Sequence, residues 1–324
     1  MRAIVYHRYG SPDVLELQEI EKPVPRDTEV LIKVRAAGVN PYDWHFLRGT
    51  PRPIRLMIGL LRPKSIRLGA DVAGEIEAVG KNTTYFKPGE PVYGTCQGSF
   101  AEFACAAEST LAIKPYTLTF AQAASVPIAA LTALQGLRDK AQLQAGQAIL
   151  INGASGGAGT FAVQIAKNMG AEVTGVCSSR NLELVRSIGA HHVVDYTRQD
   201  FTTAGRRYDV IFDLVANHSL SAFRRALKPR GVYIAVGAGG PEMRTLDYLG
   251  LVIRPMVLAP LVSQTLTGFL AKLTREDLDA LRELLESEKL VPIIDRQYTL
   301  PEVPDAIRYL ENGHARGKVV IKVD

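Results

Sequence analysis

The chain has 324 residues, 47% hydrophobic and 22% charged, with a formal net charge of +5. That length exceeds what one hydrophobic core usually supports and predicts two domains, while the ordinary composition excludes a disordered or fibrous chain. The mild positive balance comes without any Lys/Arg block interleaved with aromatics, so nucleic-acid binding is not expected as a main role and an anionic cofactor is the simpler complement.

Met1-Arg2-Ala3-Ile4-Val5-Tyr6 enters a strand-like run directly, with no apolar leader ahead of it, so secretion is not expected. Cys96, Cys105 and Cys177 stand far apart, which argues against a disulfide framework and fits a reducing cytoplasm. Val30-Leu31-Ile32-Lys33-Val34, residues 72–80, Val92-Tyr93-Gly94 and Ala101-Glu102-Phe103-Ala104 read as short strands. Turns such as Lys87-Pro88-Gly89-Glu90 separate them. This density of strands and Gly/Pro turns predicts a small β-barrel-like domain.

From about Phe120 the texture changes. Residues 121–137 are rich in Ala and Leu and predict one helix. Strands then alternate with helices: 148–151, a helix through Lys167, 172–176, a helix over 181–188, 192–194, 209–213, a helix through Leu227, and 232–236. The strands are unbroken β-branched runs, which implies burial on both faces and a parallel sheet covered by helices, a doubly wound α/β domain. Residues 246–273 are strongly apolar, but Arg254, Pro255 and Pro260 interrupt them, so no transmembrane segment is expected. A buried helical pair, a lid or a subunit contact fits this stretch, and a homodimer is expected.

The strand at 148–151 runs into Asn152-Gly153-Ala154-Ser155-Gly156-Gly157-Ala158-Gly159, with a helix predicted from about Thr160. Glycines there let the backbone turn tightly and approach a pyrophosphate, and the helix N-terminus offers unpaired N–H groups to the same phosphates. A tight turn in a nucleotide-free fold is the bland alternative. The end of the next strand reads Val176-Cys177-Ser178-Ser179-Arg180. It has no carboxylate to hold a ribose 2′-hydroxyl, whereas two hydroxyls and a guanidinium suit a 2′-phosphate. The expected cofactor is NADPH.

These segments resemble the medium-chain dehydrogenase/reductase superfamily, in its zinc-free quinone oxidoreductase (zeta-crystallin-like) branch, over almost the whole chain. The resemblance is carried by Ala36-Ala37-Gly38-Val39-Asn40-Pro41-Tyr42-Asp43, Gly69-Ala70-Asp71-Val72-Ala73-Gly74, Val126-Pro127 through Thr132-Ala133, the glycine turn, and Gly313-His314-Ala315-Arg316-Gly317-Lys318-Val319-Val320. It implies a GroES-like β-barrel catalytic domain at 1–118 and 293–324, with a Rossmann NADP-binding domain inserted at 119–292. The strand at 318–322 would return to the first domain, and the active site would lie in the interdomain cleft. By position, Thr132, Gly153, Ser155, Gly156, Gly157, Ala158, Gly159, Ser178, Ser179, Arg180, Tyr196, Val236, Gly237 and Lys318 are the expected cofactor contacts. Tyr196 reads equally well as a core ring.

No metal is expected. Catalytic zinc needs about three Cys, His or Glu ligands and structural zinc about four thiolates. Gly38-Val39-Asn40 lacks a cysteine, Gly69-Ala70-Asp71 lacks a His-Glu pair, and a four-cysteine lobe is missing. Without a Lewis acid, reduction of an already activated acceptor is easier than oxidation of an alcohol. The expected reaction is hydride transfer from NADPH to a small hydrophobic conjugated carbonyl: a quinone, enal or enone. Enoyl-thioester reduction in lipid or polyketide metabolism is one alternative. A non-catalytic, cofactor- or RNA-binding crystallin-like role is another.

The resemblance makes Asn40 the polar residue lining the site, against a turn-forming Asn before Pro41. Asp43 is expected to hold the loop through backbone N–H groups. His45 falls near a position where some relatives carry a tyrosine proton donor, against a plain loop histidine. Finally, Arg52-Pro53-Ile54-Arg55-Leu56-Met57-Ile58-Gly59-Leu60-Leu61-Arg62-Pro63-Lys64 is apolar and basic with no acid. It reads as a flap over a hydrophobic, anionic substrate, as a membrane-surface contact, or as a loop whose Leu and Ile residues pack inward.

Overall fold

The computed structural model describes residues 1–236 and 262–323. They fall into two units, Met1–Leu131 with Lys272–Asp324, and Thr132–Ala271. The first unit contains β1 (Arg2–Val5), β2 (Glu16–Glu19), β3 (Glu29–Val39), β4 (Asp71–Val79), β5 (Pro91–Thr95), β6 (Phe103–Ala107) and β7 (Leu111–Ile113). From the far end of the chain it gains β14 (Ile294–Thr299) and β15 (Lys318–Lys322). β1 and β2 pair with each other, and the rest form a seven-stranded sheet in the order β14-β15-β3-β4-β5-β7, with β6 also on β3.

β3 is the spine of that sheet. One edge pairs with β4 from Val30 to Gly38, and register shifts at Leu31/Ile32 and Val34/Ala36 raise its local twist. The other edge is shared: Glu29–Lys33 takes β6, and residues 36–39 take β15. Val30, Ile32, Val34 and Val39 join Val72, Ile76, Val92, Val319 and Ile321 in one buried core. Gly38 sits where backbones crowd, because an added Cβ would lie 2.4 Å from the Ala124 carbonyl and 3.0 Å from the Asp71 side chain.

The second unit holds β8 (Ala148–Asn152), β9 (Glu172–Cys177), β10 (His192–Asp195), β11 (Tyr208–Asp213), β12 (Leu227–Ala235) and β13 (Thr265–Gly268). Every pairing is parallel, in the order β10-β9-β8-β11-β12-β13. All five residues of β8 are buried, so the absence of alternation in its sequence reflects covered faces on both sides. The order reverses between β8 and β11. That is the Rossmann arrangement, whose ligand crevice lies at the carboxyl ends of the strands beside the reversal.

The sequence and the structure differ in several places. The helix expected over 121–137 is two helices, α3 (Phe120–Ala124) and α4 (Pro127–Gln135), followed by a π-type turn at Gly136–Lys140. Pro127 is the cause: it has no N–H to donate, and its ring pushes Val126 away from helical geometry. The helix after the glycine turn begins at Gly157, earlier than Thr160, and β12 begins at Leu227 rather than 232.

The unit boundaries also differ from 1–118/119–292/293–324. α3 buries Ala123 and Ala124 and packs on β3 and β4, which ties 119–131 to the first unit. The helix at Arg275–Glu286 buries Leu278, Leu281 and Leu285, and Tyr93 of β5 donates its hydroxyl proton to the Leu278 carbonyl at 2.6 Å. No helix among the described residues is long and apolar enough to cross a membrane. Most of the apolar stretch at 246–273 lies outside the described residues.

Candidate active site

In the first unit, pairing register gathers three residues that are distant in sequence. Asn40 follows the last residue of β3. Asp71, the first residue of β4, pairs with Gly38, and Lys318, the first residue of β15, precedes the partner of Val39. All three are buried. Asn40 Nδ2 donates to Asp71 Oδ2 at 2.9 Å, while Lys318 Nζ donates to Asn40 Oδ1 at 2.5 Å and to the Val39 carbonyl at 3.3 Å. Lys318 also pairs with Asp71 at 3.4 Å, and Asp71 Oδ1 accepts the Ile128 N–H at 3.0 Å.

The amide of Asn40 is therefore fixed in one orientation. Its oxygen must face the ammonium, which only donates, and its nitrogen must face the carboxylate, which only accepts. One Nδ2–H goes to Asp71. The other has only the Gly38 carbonyl, at 3.5 Å. Burial raises the Asp71 carboxyl above its ordinary value, and Lys318 and Asn40 act against that rise.

Asp43 stands three residues along, in the first turn of α1 (Pro41–Arg48). Its Oδ2 accepts the Asn40 backbone N–H at 2.7 Å, as the sequence suggests, while Oδ1 has no hydrogen-bond partner. Complete burial pushes its pKa up to about 8, so at neutral pH it is largely a neutral acid.

His45 is a half-buried ring stacked on Trp44, with centroids 3.7 Å apart. Its Nδ1 lies 2.7 Å from the Thr50 carbonyl, which only accepts, so Nδ1 carries the proton. Burial lowers the ring's pKa. The histidine expected as a proton donor is thus held neutral, with Nε2 presenting a lone pair. Lys318, expected among the cofactor contacts, is a buried ammonium engaged by Asn40, Val39 and Asp71.

In the second unit the glycine turn leaves β8 and runs into α5 (Gly157–Asn168), whose N-cap, Gly156, has no side-chain cap. The first-turn N–H groups of such a helix have no intrahelical acceptor. At Gly159 an added Cβ would sit 2.1 Å from the Gly153 carbonyl, so helix and turn pack too closely for any side chain. Ser155 is buried at the turn and accepts a hydrogen bond from Asn181 Nδ2 at 3.0 Å. Ala158 lies in the first turn of α5.

Ser178, Ser179 and Arg180 follow β9. Asn181 Nδ2 reaches Ser178 Oγ at 3.3 Å, and Ser179 Oγ donates to Asp195 Oδ2 at 2.5 Å. Tyr196 is exposed, so the core-ring reading fails, and its N–H donates to the Cys177 carbonyl at 3.1 Å. Thr132 is half-buried on α4. Val236 is half-buried just past β12, with its N–H on the Asp213 carbonyl at 2.9 Å. Gly237 lies outside the described residues.

Sequence reasoning missed three carboxylates. Asp71 begins β4 and Asp213 ends β11, each next to an apolar run, and that was the available signal. Asp213 Oδ1 accepts from Asn152 Nδ2 at 2.8 Å and from the N–H groups of Val215 and Ala216 at 3.1 Å, and Oδ2 accepts from the Tyr233 hydroxyl at 2.8 Å. It pins the loop after β11 to the end of β8. Asp195 ends β10 and is held by Ser179, by Thr197 and by Arg198 at 3.6 Å.

Comparison with known proteins agrees with this fold. The alcohol dehydrogenase GroES-like domain family matches residues 26–132, and the zinc-binding dehydrogenase family matches 188–321. A human quinone oxidoreductase is 34% identical, with 99% of this chain and 97% of that protein covered. The chain belongs to the quinone oxidoreductases of the medium-chain dehydrogenase/reductase superfamily.

A 2-methylene-furan-3-one reductase of Solanum lycopersicum is 33% identical over 99% of this chain and 79% of its own length. The solved structure of a mycobacterial protein complexed with NADPH superposes with a TM-score of 0.82 at 25% identity, covering 99% of this chain and all of that one. One of the matching families is described by zinc, and the donors found here do not fit that metal. Among the described residues no group of three or more His, Cys, Asp or Glu is placed to hold a metal. At the end of β3 the charged partner of Asp71 is the Lys318 ammonium.

Proposed function

We propose that this oxidoreductase uses NADPH to reduce a conjugated carbonyl, a quinone, enal or enone. The observation that carries the reading is the uncapped N-terminus of α5, at the strand-order reversal, with a turn too tight for a Cβ at Gly159. That cradle fits a pyrophosphate. Gly153, Ser155, Gly156, Gly157, Ala158 and Gly159 would hold it, with Thr132, Tyr196 and Val236 around the rest of the cofactor. Ser178, Ser179 and Arg180 would take the 2′-phosphate. Bound NADPH supplies the hydride.

The chain's own residues then have defined tasks. Asn40 offers its second amide N–H to the acceptor oxygen as negative charge develops there, and Lys318 and Asp71 keep that amide from flipping. Asp43 holds the entry to α1 as a neutral acid. His45 positions the loop at Thr50. The protein of Solanum lycopersicum is named for an enone acceptor and the human one for quinones, which supports an activated carbonyl here.

The test is NADPH consumption over a panel of quinones, enals, enones and enoyl thioesters, repeated with NADH. Turnover restricted to thioesters, or faster turnover with NADH, overturns this reading. Asn40→Ala is expected to lower kcat about 10- to 100-fold. We further propose a homodimer: β13 is an edge strand among the described residues and belongs to the apolar stretch at 246–273. Light scattering at the mass of one chain would refute it.

A further inference from the structure

The basic, apolar segment after α1 folds as a 3₁₀ turn (Arg52–Ile54), a short helix α2 (Arg55–Ile58) and an irregular return. Ile54 and Ile58 are half-buried, but its Leu and Met side chains do not pack inward. Leu56, Met57, Leu60 and Leu61 are between 65% and 89% exposed. The segment is nonetheless fastened to the unit. Tyr9 donates its hydroxyl proton to the Gly59 carbonyl at 2.5 Å. Arg55 lies over the Tyr9 ring and donates to the Gly49 and Arg48 carbonyls.

Between this segment and α1 lies a cleft of about 170 Å³. Phe46, Met57 and Ile58 give it an apolar wall, and Tyr42, whose ring meets Phe46 at 3.9 Å, stands on the helix that Asn40 caps. Lys64 and Arg67 line the same cleft, and no acidic residue does. Two nearby cations have structural partners: Arg48 pairs with Glu311, and Arg55 is engaged as above. Lys64 and Arg67 have no carboxylate partner among the described residues. Arg67 is half-buried, with its stem against Gly98, where an added Cβ would lie 2.8 Å from Arg67 Cβ. A half-buried guanidinium without a counter-charge, beside an ammonium and an apolar wall, is complementary to an apolar body ending in an anion.

We propose that this cleft seats the apolar body of the acceptor and that Lys64 and Arg67 select acceptors carrying an anionic group, such as a carboxylate or a sulfonate. The proposal names the substrate class of the reductase reading and rests on it for turnover, but binding tests it alone. Calorimetry on the full-length protein with NADPH would compare 2-naphthalenesulfonate with 2-naphthol, neither of which can be reduced. The sulfonate is expected to bind about tenfold more tightly at about 0.02 M salt, and the ratio to shrink toward one at about 0.5 M.

Lys64→Gln/Arg67→Gln abolishes the ratio and Lys64→Arg/Arg67→Lys retains it. Lys64→Gln alone, an exposed change with little bearing on folding, lowers it by about threefold. An unchanged ratio in the Gln variants, or no preference in the natural protein, makes the two cations ordinary solvated surface and overturns the proposal. A parallel assay follows NADPH oxidation by 1,2-naphthoquinone and its 4-sulfonate. If neither is reduced while the binding ratio holds, the reductase reading fails for these acceptors and the anion site stands.

Discussion

The two units build their proposed functional surfaces by opposite routes. In the second, one uninterrupted stretch from Asn152 to Gly159 supplies the turn, the cradle and the helix N-terminus, so the site is as local as the β8–α5 connection itself. In the first, Asn40, Asp71 and Lys318 come from three strand ends, and only the pairing of β4 and β15 with β3 brings them together. A local site depends on backbone geometry. An assembled site depends on the whole sheet and on burying charges that compensate one another.

Removing one partner from the assembled site should have the largest effect. Lys318→Met leaves Asp71 buried without its ammonium and should cost about 3–5 kcal/mol, read from denaturant unfolding through the only tryptophan, Trp44, which lies in that unit. Adding Asp71→Asn should recover most of the loss. If the single variant is as stable as the natural protein, the cluster is not held together by charge.

Placing one methyl group in each region separates the two kinds of site. Gly38→Ala and Gly159→Ala both drive a Cβ into a carbonyl oxygen, at 2.4 and 2.1 Å. Each should cost about 1–3 kcal/mol. In Gly38→Ala the cost appears as lost stability of the first unit with unchanged NADPH affinity. In Gly159→Ala it appears as NADPH binding weakened about tenfold. The same outcome for both would erase the distinction.

Arg180→Gln should weaken NADPH binding by about tenfold while sparing NADH, which removes the discrimination between them. A further test concerns pH. Asp43 holds its proton up to about pH 8 when folded, against an ordinary value of 3.8. Between those limits the unfolded chain has released a proton that the folded one keeps, so the stabilisation present below about pH 4 is lost as pH rises toward about 8. Asp43→Asn should flatten that dependence in unfolding midpoints measured from pH 4 to 8.

The contrast also explains what could be read in advance. The glycine turn and the parallel strands were legible, because each is written in neighbouring residues or in unbroken apolar runs, whereas the return of the strand at 318–322 to the first unit came from the family resemblance. That Lys318 would sit beside Asp71 and Asn40 was not legible, since no local pattern says that those residues meet it. The break at Pro127 overrode a run of good helix formers, which propensity summed over 17 residues hides. His45 was singled out by position alone, and its tautomer depends on a carbonyl five residues away.

The shared edge of β3 bears on the order in which the molecule is made. A ribosome delivers β3, β4 and β6 early and β15 only after the entire parallel-sheet unit has been synthesised. Until then the second half of the β3 edge is unpaired and Asp71 has no ammonium beside it. The nascent first unit must wait, with an open strand and an unbalanced carboxylate, for a residue almost 280 positions downstream of Asn40. The Asn40–Asp71–Lys318 cluster is therefore completed only after the parallel-sheet unit has been made, whereas the glycine turn is in place long before it.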